Sequence, residues 1–591
     1  MGGYFISNDL DSCGKAIDIF KKKGLSEYVV LPAGKKYCVY FYKKNAKVSK
    51  IKNDIFKAGD NFLFGTGVYI YKNLIGKEAL ECIYEDFVNS NNNSIFNRVK
   101  GHFNFVIYKN GELFVVTDKS GTYHTYYGQN RHNLFLSTSF LSVCENIETL
   151  TVQKQEILEY INTSVWQGYK SVFKEVNKLH FGQIFNICNN KLITKTYYDF
   201  NVVDGECKSF ETVLKSIKDY FLFLKRYDEN ISCDLSGGAD SRVLLSAVNA
   251  EDVKYRCYCI DCYNDYELAE NIAKGENLKL DILHMNPERI NNESFIKDWE
   301  RLFYLFDMSR PMFEGAVGCE IDHFNMPYDK HDLIRLSGHA AELTRHYDWL
   351  SKKTTLYDFI GNLFQMKSTF KTKKQFIKNI IKKLRKEIVF DNEKAMTYKD
   401  INKVYFLLRC RTWAGSRINT SNQVCYHLFP FEDLSLSYIF FNQDEAVLRT
   451  NLLLKKLLYY LYPGIGKYPS SYSYSLLYDE ADENCQECDS ETKENKLTFV
   501  ERYKALRRNL ERFLWGGAKH TFRYNKHSRQ NPDIEPFIIN EDFTRKVFGN
   551  RKFIIKSILK DLNITLQSDF IKDGIFSLEY LLRKYETKLK I

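Results

Sequence analysis

The stretch from Ile231 to Val248 constrains the fold more than any other. Ile231 to Leu235 is a short apolar run, Gly237-Gly238 breaks it, and Ser241 to Val248 carries a helical apolar pattern. The same alternation continues with a strand pattern over Val253 to Ile260, a helix over Tyr266 to Glu276 and a strand over Leu280 to His284. Strands separated by helices predict a parallel, doubly wound sheet. Upstream, from Gly3 to about Asp199, short apolar runs such as Tyr37 to Tyr42, Phe103 to Tyr108, Leu113 to Thr117 and Leu134 to Ser137 are bounded by Gly, Asn and Asp. They predict an antiparallel sheet with a few helices. Glu206 to Leu224 turns helical, and after Phe295 the patterns are mainly helical to Tyr462. An acidic stretch, Asp479 to Asn495, precedes a helical, basic extension. The expected boundaries are 1–204, 205–480 and 481–591.

A chain of 591 residues is too long for one ordinary core. With 44% apolar and 15% aromatic residues but only 9 Pro, it reads as packed rather than disordered. The net charge of +11 is spread over many segments, densest at Lys371 to Lys386 and Arg502 to Arg512, as solvated helix faces would spread it. No helix-turn-helix, zinc-finger or RNA-recognition pattern occurs, so no nucleic-acid partner is expected. No apolar window of about 18 residues and no signal peptide are found, which predicts a cytoplasmic protein without a membrane partner. Met1-Gly2 does not start a myristoylation pattern, because Ile6 stands where the hydroxyl residue is needed. Most of the 15 cysteines sit in apolar runs, as reduced thiols do. The lone pair Cys485 and Cys488 lacks the second pair a zinc site needs.

Cys233-Asp234-Leu235-Ser236-Gly237-Gly238-Ala239-Asp240-Ser241-Arg242 carries the chemistry. Two glycines after a strand let backbone N–H groups approach an anion, and the following helix aims its N-terminal dipole at the same point. Ser236 and Ser241 add hydroxyls, and Asp240 suits the magnesium that accompanies a polyphosphate. Neither the Walker ending nor G-x-G-x-x-G is present. The expected ligand is Mg-ATP. Without the serines and the aspartate, Gly-Gly would read only as a strand end and helix cap.

Ser-Gly-Gly-Ala-Asp-Ser resembles the pyrophosphate loop of the ATP-pyrophosphatase superfamily, and the chain over roughly 1–480 resembles the asparagine synthetases and their relatives, which include lactam and lasso-peptide synthetases. The resemblance implies an Ntn-hydrolase-like N-terminal antiparallel β sandwich with helices, followed by a HUP-like, doubly wound parallel sheet with a helical C-terminal part. It implies cleavage of ATP to AMP and pyrophosphate, with a substrate carboxylate activated as an acyl-adenylate and passed to ammonia or an amine. Ser236, Gly237, Gly238 and Ser241 would hold pyrophosphate, and Leu235 and Tyr258 would contact adenine through their backbones. Gly101-His102-Phe103-Asn104-Phe105 with Thr117-Asp118, Gly121 and Tyr126-Tyr127-Gly128 resembles structural motifs of the amidotransferase domain. Gly2 stands where its glutaminase has a cysteine, so no glutaminase is expected.

Asp265 to Ala269 resembles the P-D-x-x-x-A segment, and His284 resembles the histidine ending the next strand. Ser337-Gly338-His339-Ala340-Ala341-Glu342 resembles the S-G-E-G-S-D-E loop, with Ser337 and Gly338 at ATP and Glu342 near the metal-binding aspartate beside Asp240. His339 falls where asparagine synthetases have glutamate and lactam synthetases tyrosine. Two readings of it stand: a general base toward the attacking amine, or a hydrogen-bonding residue of the nucleotide site. Leu428 to Asp433 resembles P-F-L-D, and Lys467 falls near the lysine that steadies the leaving group; the alternative is a surface lysine. The implied substrates are a small-molecule or peptide carboxylate and an amine, with a homodimer or a partner protein supplying substrate as further options. An intramolecular lactam or macrolactam synthetase, and a non-catalytic ATP-binding partner protein, are the alternative functions.

Overall fold

The computed structural model describes residues 2–44, 55–90, 93–163, 165–202, 206–228, 231–260, 266–283, 294–308, 334–345, 347, 354–364, 370–388, 395–470, 475–479, 548, 554–561 and 570–591. Asp265, His284 and the Cys485–Cys488 pair lie outside the described residues, as does nearly all of the acidic stretch.

Two antiparallel sheets form the first unit. One orders the strands Val176–Lys178, Tyr126–Gln129, Leu134–Ser137, Gly3–Ser7, Tyr37–Tyr42 and Tyr28–Ala33; the other orders Lys191–Thr196, Gln183–Cys188, Glu112–Thr117, Lys100–Lys109, Asn61–Tyr71 and Phe56–Ala58. Alternation along each strand decides which side chain enters which core. Tyr4, Ile6, Val39, Phe41, Phe64, Val106 and Val115 meet between the sheets. Phe103, Phe105 and Ile107 turn the other way, onto the helix Gly76–Ser90. Phe5, Tyr42 and Phe135 face the helices Asp11–Lys22 and Phe140–Asn146 on the far side. The result is four layers: helix, sheet, sheet, helix.

The second unit is built on a five-stranded parallel sheet in the order Leu280–Leu283, Arg256–Ile260, Ile231–Asp234, Ile334–Leu336, His427–Leu428. The predicted helices are present as Ala239–Asn249 and Tyr266–Gly275. Two strands escape the sequence pattern, because Ile334–Leu336 and His427–Leu428 are only three and two residues long. Arg335 also disguises the first of them. It is 5% exposed, yet its guanidinium is neutralised by Asp234 at 2.8 and 2.6 Å on the neighbouring strand. In chain order the sheet runs 3-2-1-4-5, so the order reverses between Ile231–Asp234 and Ile334–Leu336.

The units are welded by polar contacts. The carboxylate of Asp433 accepts from the Gly101 amide at 2.5 Å and the Tyr220 hydroxyl at 2.8 Å. Gly101 has a φ of +103°, and an added Cβ there would stand 2.4 Å from the Val68 carbonyl oxygen, so only glycine fits. The Leu434 amide donates to Ser120 Oγ at 2.9 Å. His102, wholly buried, bonds Thr122 Oγ1 at 2.7 Å and the Phe429 carbonyl at 3.1 Å; burial pushes its pKa down to about 4.

The described part of the C-terminal extension packs on the first unit. Leu578, Leu581, Leu582 and Tyr585 join Phe140, Trp166 and Phe173 in one core. Leu589–Lys590 pairs in parallel with Leu150–Thr151, and the Val152 amide donates to the Lys590 carbonyl at 2.9 Å. Removal of residues 589–591 is expected to accelerate amide exchange at Val152 about tenfold or more, with the amides of Ile231–Asp234 unchanged, as hydrogen-exchange mass spectrometry would show.

Candidate active site

In an open parallel sheet, ligands bind outside the carboxyl ends of the strands where the strand order reverses. That point lies between the loops following Asp234 and Leu336, which hold the two motifs singled out in the sequence. The loops touch: a Cβ added to Gly338 would stand 2.5 Å from the Asp240 carbonyl oxygen.

The glycine loop is braced from within. The Ser241 hydroxyl donates to the Ser236 carbonyl at 3.0 Å and accepts from the Ser236 amide at 3.1 Å, and the Gly238 amide donates to Ser236 Oγ at 3.1 Å. Behind it Arg242, fully buried, donates to the carbonyls of Gly237 at 3.0 Å, Tyr468 at 2.8 Å and Pro469. The Leu235 amide donates to the Tyr258 carbonyl at 2.8 Å, extending the parallel ladder by a residue. These two backbone groups, expected at adenine, bond each other here.

Ionisable side chains cluster at the junction. Asp240 accepts from Arg345 Nε at 3.1 Å and from a second guanidinium nitrogen at 3.3 Å. Burial, and then the negative charge of Glu342, push Asp240 up to about 6. Glu342 goes the other way: burial opposes its charge, but His339 and Arg345, aided by the Tyr405 hydroxyl at 2.8 Å, hold it below the usual carboxylate range. His339 forms an ion pair through Nδ1 with Glu432, whose side chain has no exposed surface. Burial works against protonation of His339, yet the Glu432 charge outweighs it and lifts the imidazole above its ordinary pKa. The ring stacks on Trp413 at 5.5 Å between centroids, and Arg409 caps that indole at 3.7 Å. Trp413 and Arg409 both ride on Phe406–Ala414, a π-helical stretch of the kind found at functional sites. Ala340 sits at a φ of +68°, a left-handed conformation that strains a non-glycine residue inside this loop.

Sequence reasoning thus placed Ser236, Gly237, Gly238, Asp240, Ser241, Ser337, Gly338, His339 and Glu342 in what is one junction. It missed Glu432, Arg345, Tyr405, Arg409 and Trp413. Of these only Glu432 had a signal, the Leu428 to Asp433 motif. Lys467 is not gathered in: its half-exposed ammonium is held by Glu276 at 2.9 Å.

A magnesium ion finds a partial fit. Glu342 Oε2 is buried without a hydrogen-bond partner among the described residues, an open acceptor beside Asp240. No group of three or more acidic, histidine or cysteine ligands could hold a metal among the described residues. Magnesium at polyphosphate sites needs only one or two carboxylates, the rest of its shell being water and phosphate oxygen. Asp240 would have to release Arg345 to serve.

Residues 80–198 match the family model described as a glutamine amidotransferase domain. Over these residues the first unit is similar to an amidotransferase domain. No curated protein matches the chain. Two among the solved structures that are similar in part illustrate the likeness. One is glutamine phosphoribosylpyrophosphate amidotransferase from B. subtilis in complex with ADP and GMP, at 7% identity over 47% of this chain and 65% of that one, with a TM-score of 0.24. The other, described as the allosteric regulatory enzyme of purine biosynthesis, has 11% identity over 43% and 64%, with a TM-score of 0.22. The chain thus spans slightly less than two thirds of either, and likenesses this weak fix no chemistry. Within the amidotransferase-type unit, Gly2 is packed shut: an added Cβ would stand 2.9 Å from Leu25 Cδ1 and 3.1 Å from the Lys43 carbonyl oxygen. Among the described residues no helix is long and apolar enough to cross a membrane.

Two outcomes test these electrostatics. The imidazole of His339 should titrate above about 6.5 by NMR and shift downward in Glu432→Gln. Asp240 binds its proton more tightly folded than unfolded, so its charge lowers stability as pH rises from about 4 to 6 and remains unfavourable above that. Asp240→Asn should therefore be more favourable to the stability of the ligand-free protein at pH 8 than at pH 4, read from thermal midpoints.

Proposed function

We propose that the protein is an ATP-dependent amide-forming ligase of the asparagine synthetase-like kind, with an amidotransferase-type domain over 1–204, a HUP-like synthetase domain over 205–480 and an extension over 481–591. It activates a carboxylate with ATP and Mg²⁺, releases pyrophosphate and passes the acyl group to ammonia or an amine. The observation that carries this reading is the meeting of the glycine loop 236–241 with the His339–Glu432 and Asp240–Glu342 pairs where the parallel strand order reverses.

The geometry supports the following division of labour. The loop braced by Ser236, Ser241 and Arg242 presents a rigid backbone cradle to the departing pyrophosphate. Asp240 and Glu342 would hold the metal that neutralises it. His339, neutral at alkaline pH, accepts a proton from the attacking amine, and the buried Glu432 orients the ring through Nδ1 and stabilises the imidazolium that forms. Lys467 would join only by leaving Glu276. The closed packing at Gly2 supports a domain that hydrolyses no glutamine, leaving free ammonia, a substrate amine or a partner protein as nitrogen source. Soluble cytoplasmic placement and the absence of nucleic-acid partners belong to the same proposal.

A second reading, nucleotide binding without turnover, is favoured by one observation: Arg345 already occupies both oxygens of Asp240. Pyrophosphate release separates the two. Purified protein with Mg-ATP and pooled carboxylates and amines should release pyrophosphate, and Asp240→Ala should lower the rate about 100-fold or more. Turnover should fall on the acid side with an apparent pKa above 6.5, since His339 acts only when neutral, and that limb should move to lower pH in Glu432→Gln. ATP binding with no release from any pool would establish the binder.

A further inference from the structure

A second site opens along the seam between the two units. There a cleft of about 640 Å³ lies apart from the junction just described and shares none of its residues. Its size is that of a small-molecule pocket. Arg98, Lys100 and Lys119 converge on it, against a single carboxylate, Asp199.

Of these cations Arg98 is exposed, lies 5.8 Å from the Tyr71 ring centre and is felt by Asp86, while the two lysines lie deeper. Lys119 is 7% exposed, and its ammonium donates to the Asn97 carbonyl at 2.7 Å. Lys100 donates to the Asp219 carbonyl at 2.9 Å and lies 5.2 Å from the Tyr220 ring centre. Both oxygens are neutral. Asp433 is near enough to be felt by both lysines, Asp219 by Lys100 and Asp118 by Lys119, but the oxygens of Asp433 accept from Gly101, Tyr220 and Ser435. Burial lowers both lysines from their usual range, and Lys119 is lowered further by Lys100. The Ser435 hydroxyl, in the same wall, is buried without a hydrogen-bond partner among the described residues.

Buried charges in proteins are ordinarily paired. Here the buried Lys119 ammonium is bonded to a neutral carbonyl, with Asp433 and Asp118 near enough to be felt but not bonded to it, and the cleft leaves space for a further anion. Three cations less one carboxylate leave the lining at +2. A single carboxylate would neutralise half of that, whereas a phosphate monoester carries between about −1.5 and −2 near neutral pH. Arg98 can meet such a group with two parallel hydrogen bonds. The cleft is larger than a phosphate alone, and Tyr438, 40% exposed, offers a ring to the remainder of the molecule.

We propose that this cleft binds a small phosphate monoester, its phosphoryl group seated between Arg98, Lys100 and Lys119, at a site separate from the glycine loop. Calorimetric titration of the full chain with phenyl phosphate and with inorganic phosphate, without ATP, tests it. Phenyl phosphate should bind saturably and more tightly than inorganic phosphate, and more weakly as salt rises. Arg98→Glu, at an exposed position, should weaken it about tenfold or more, while Ser241→Ala in the glycine loop should leave it unchanged. Lys119→Met should behave like Arg98→Glu; if that buried replacement unfolds the chain, Arg98→Glu alone decides. Absence of saturable binding would overturn the proposal, as would binding that survives Arg98→Glu. Loss in Ser241→Ala alone would assign the anion to the glycine loop and overturn it equally.

Discussion

The carboxylate of Asp433 holds the molecule together at its most consequential point. One oxygen takes the amide of Gly101 from the sandwich and the hydroxyl of Tyr220 from the parallel-sheet unit, and the other caps the helix Leu434–Phe441 through the Ser435 amide. A buried carboxylate can persist only where such donors surround it. Its neighbour Glu432 faces the opposite way, onto His339. Two consecutive acidic residues thus serve two ends, and any shift of one unit against the other reaches the imidazole through a single peptide bond.

The junction itself is electrostatically divided. Asp240 and Glu342 are close enough to repel, and the protein resolves this by disfavouring the charge of one and favouring that of the other. Such a pair is poised to accept a cation, since a bound cation would let both ionise. Arg345 plays that part here. The His339–Glu432 pair is coupled to it through the attraction of His339 for Glu342, and stacking on Trp413 fixes the ring plane while leaving the imidazole about one fifth exposed.

Much of this was legible in the residues. Period-two alternation announced the sandwich strands, and the glycine pair announced a loop between strand and helix, because backbone chemistry there demands particular side chains. Ile334–Leu336 and His427–Leu428 were hidden: strands this short show no period, and their burial comes from tertiary packing. Arg345 was hidden for a related reason, since its role arises from a partner about a hundred positions away, and the motif that held Glu432 did not reveal His339 as its partner. Lys467 had a plausible sequence position, but the pull of Glu276 on its ammonium is a contact no motif encodes. The extension gave no sign that it would complete the first unit.

That completion sets a timetable. The core that holds Phe140 and Trp166 also needs Leu578, Leu581 and Tyr585, and the strand at Leu150 finds its partner only at Leu589. At roughly 5 to 20 residues per second of translation, the wait between the two is on the order of 20 to 90 s. Throughout that interval the ribosome carries a sandwich with one apolar flank uncovered, so the earliest-made part of the protein is among the last to be sealed.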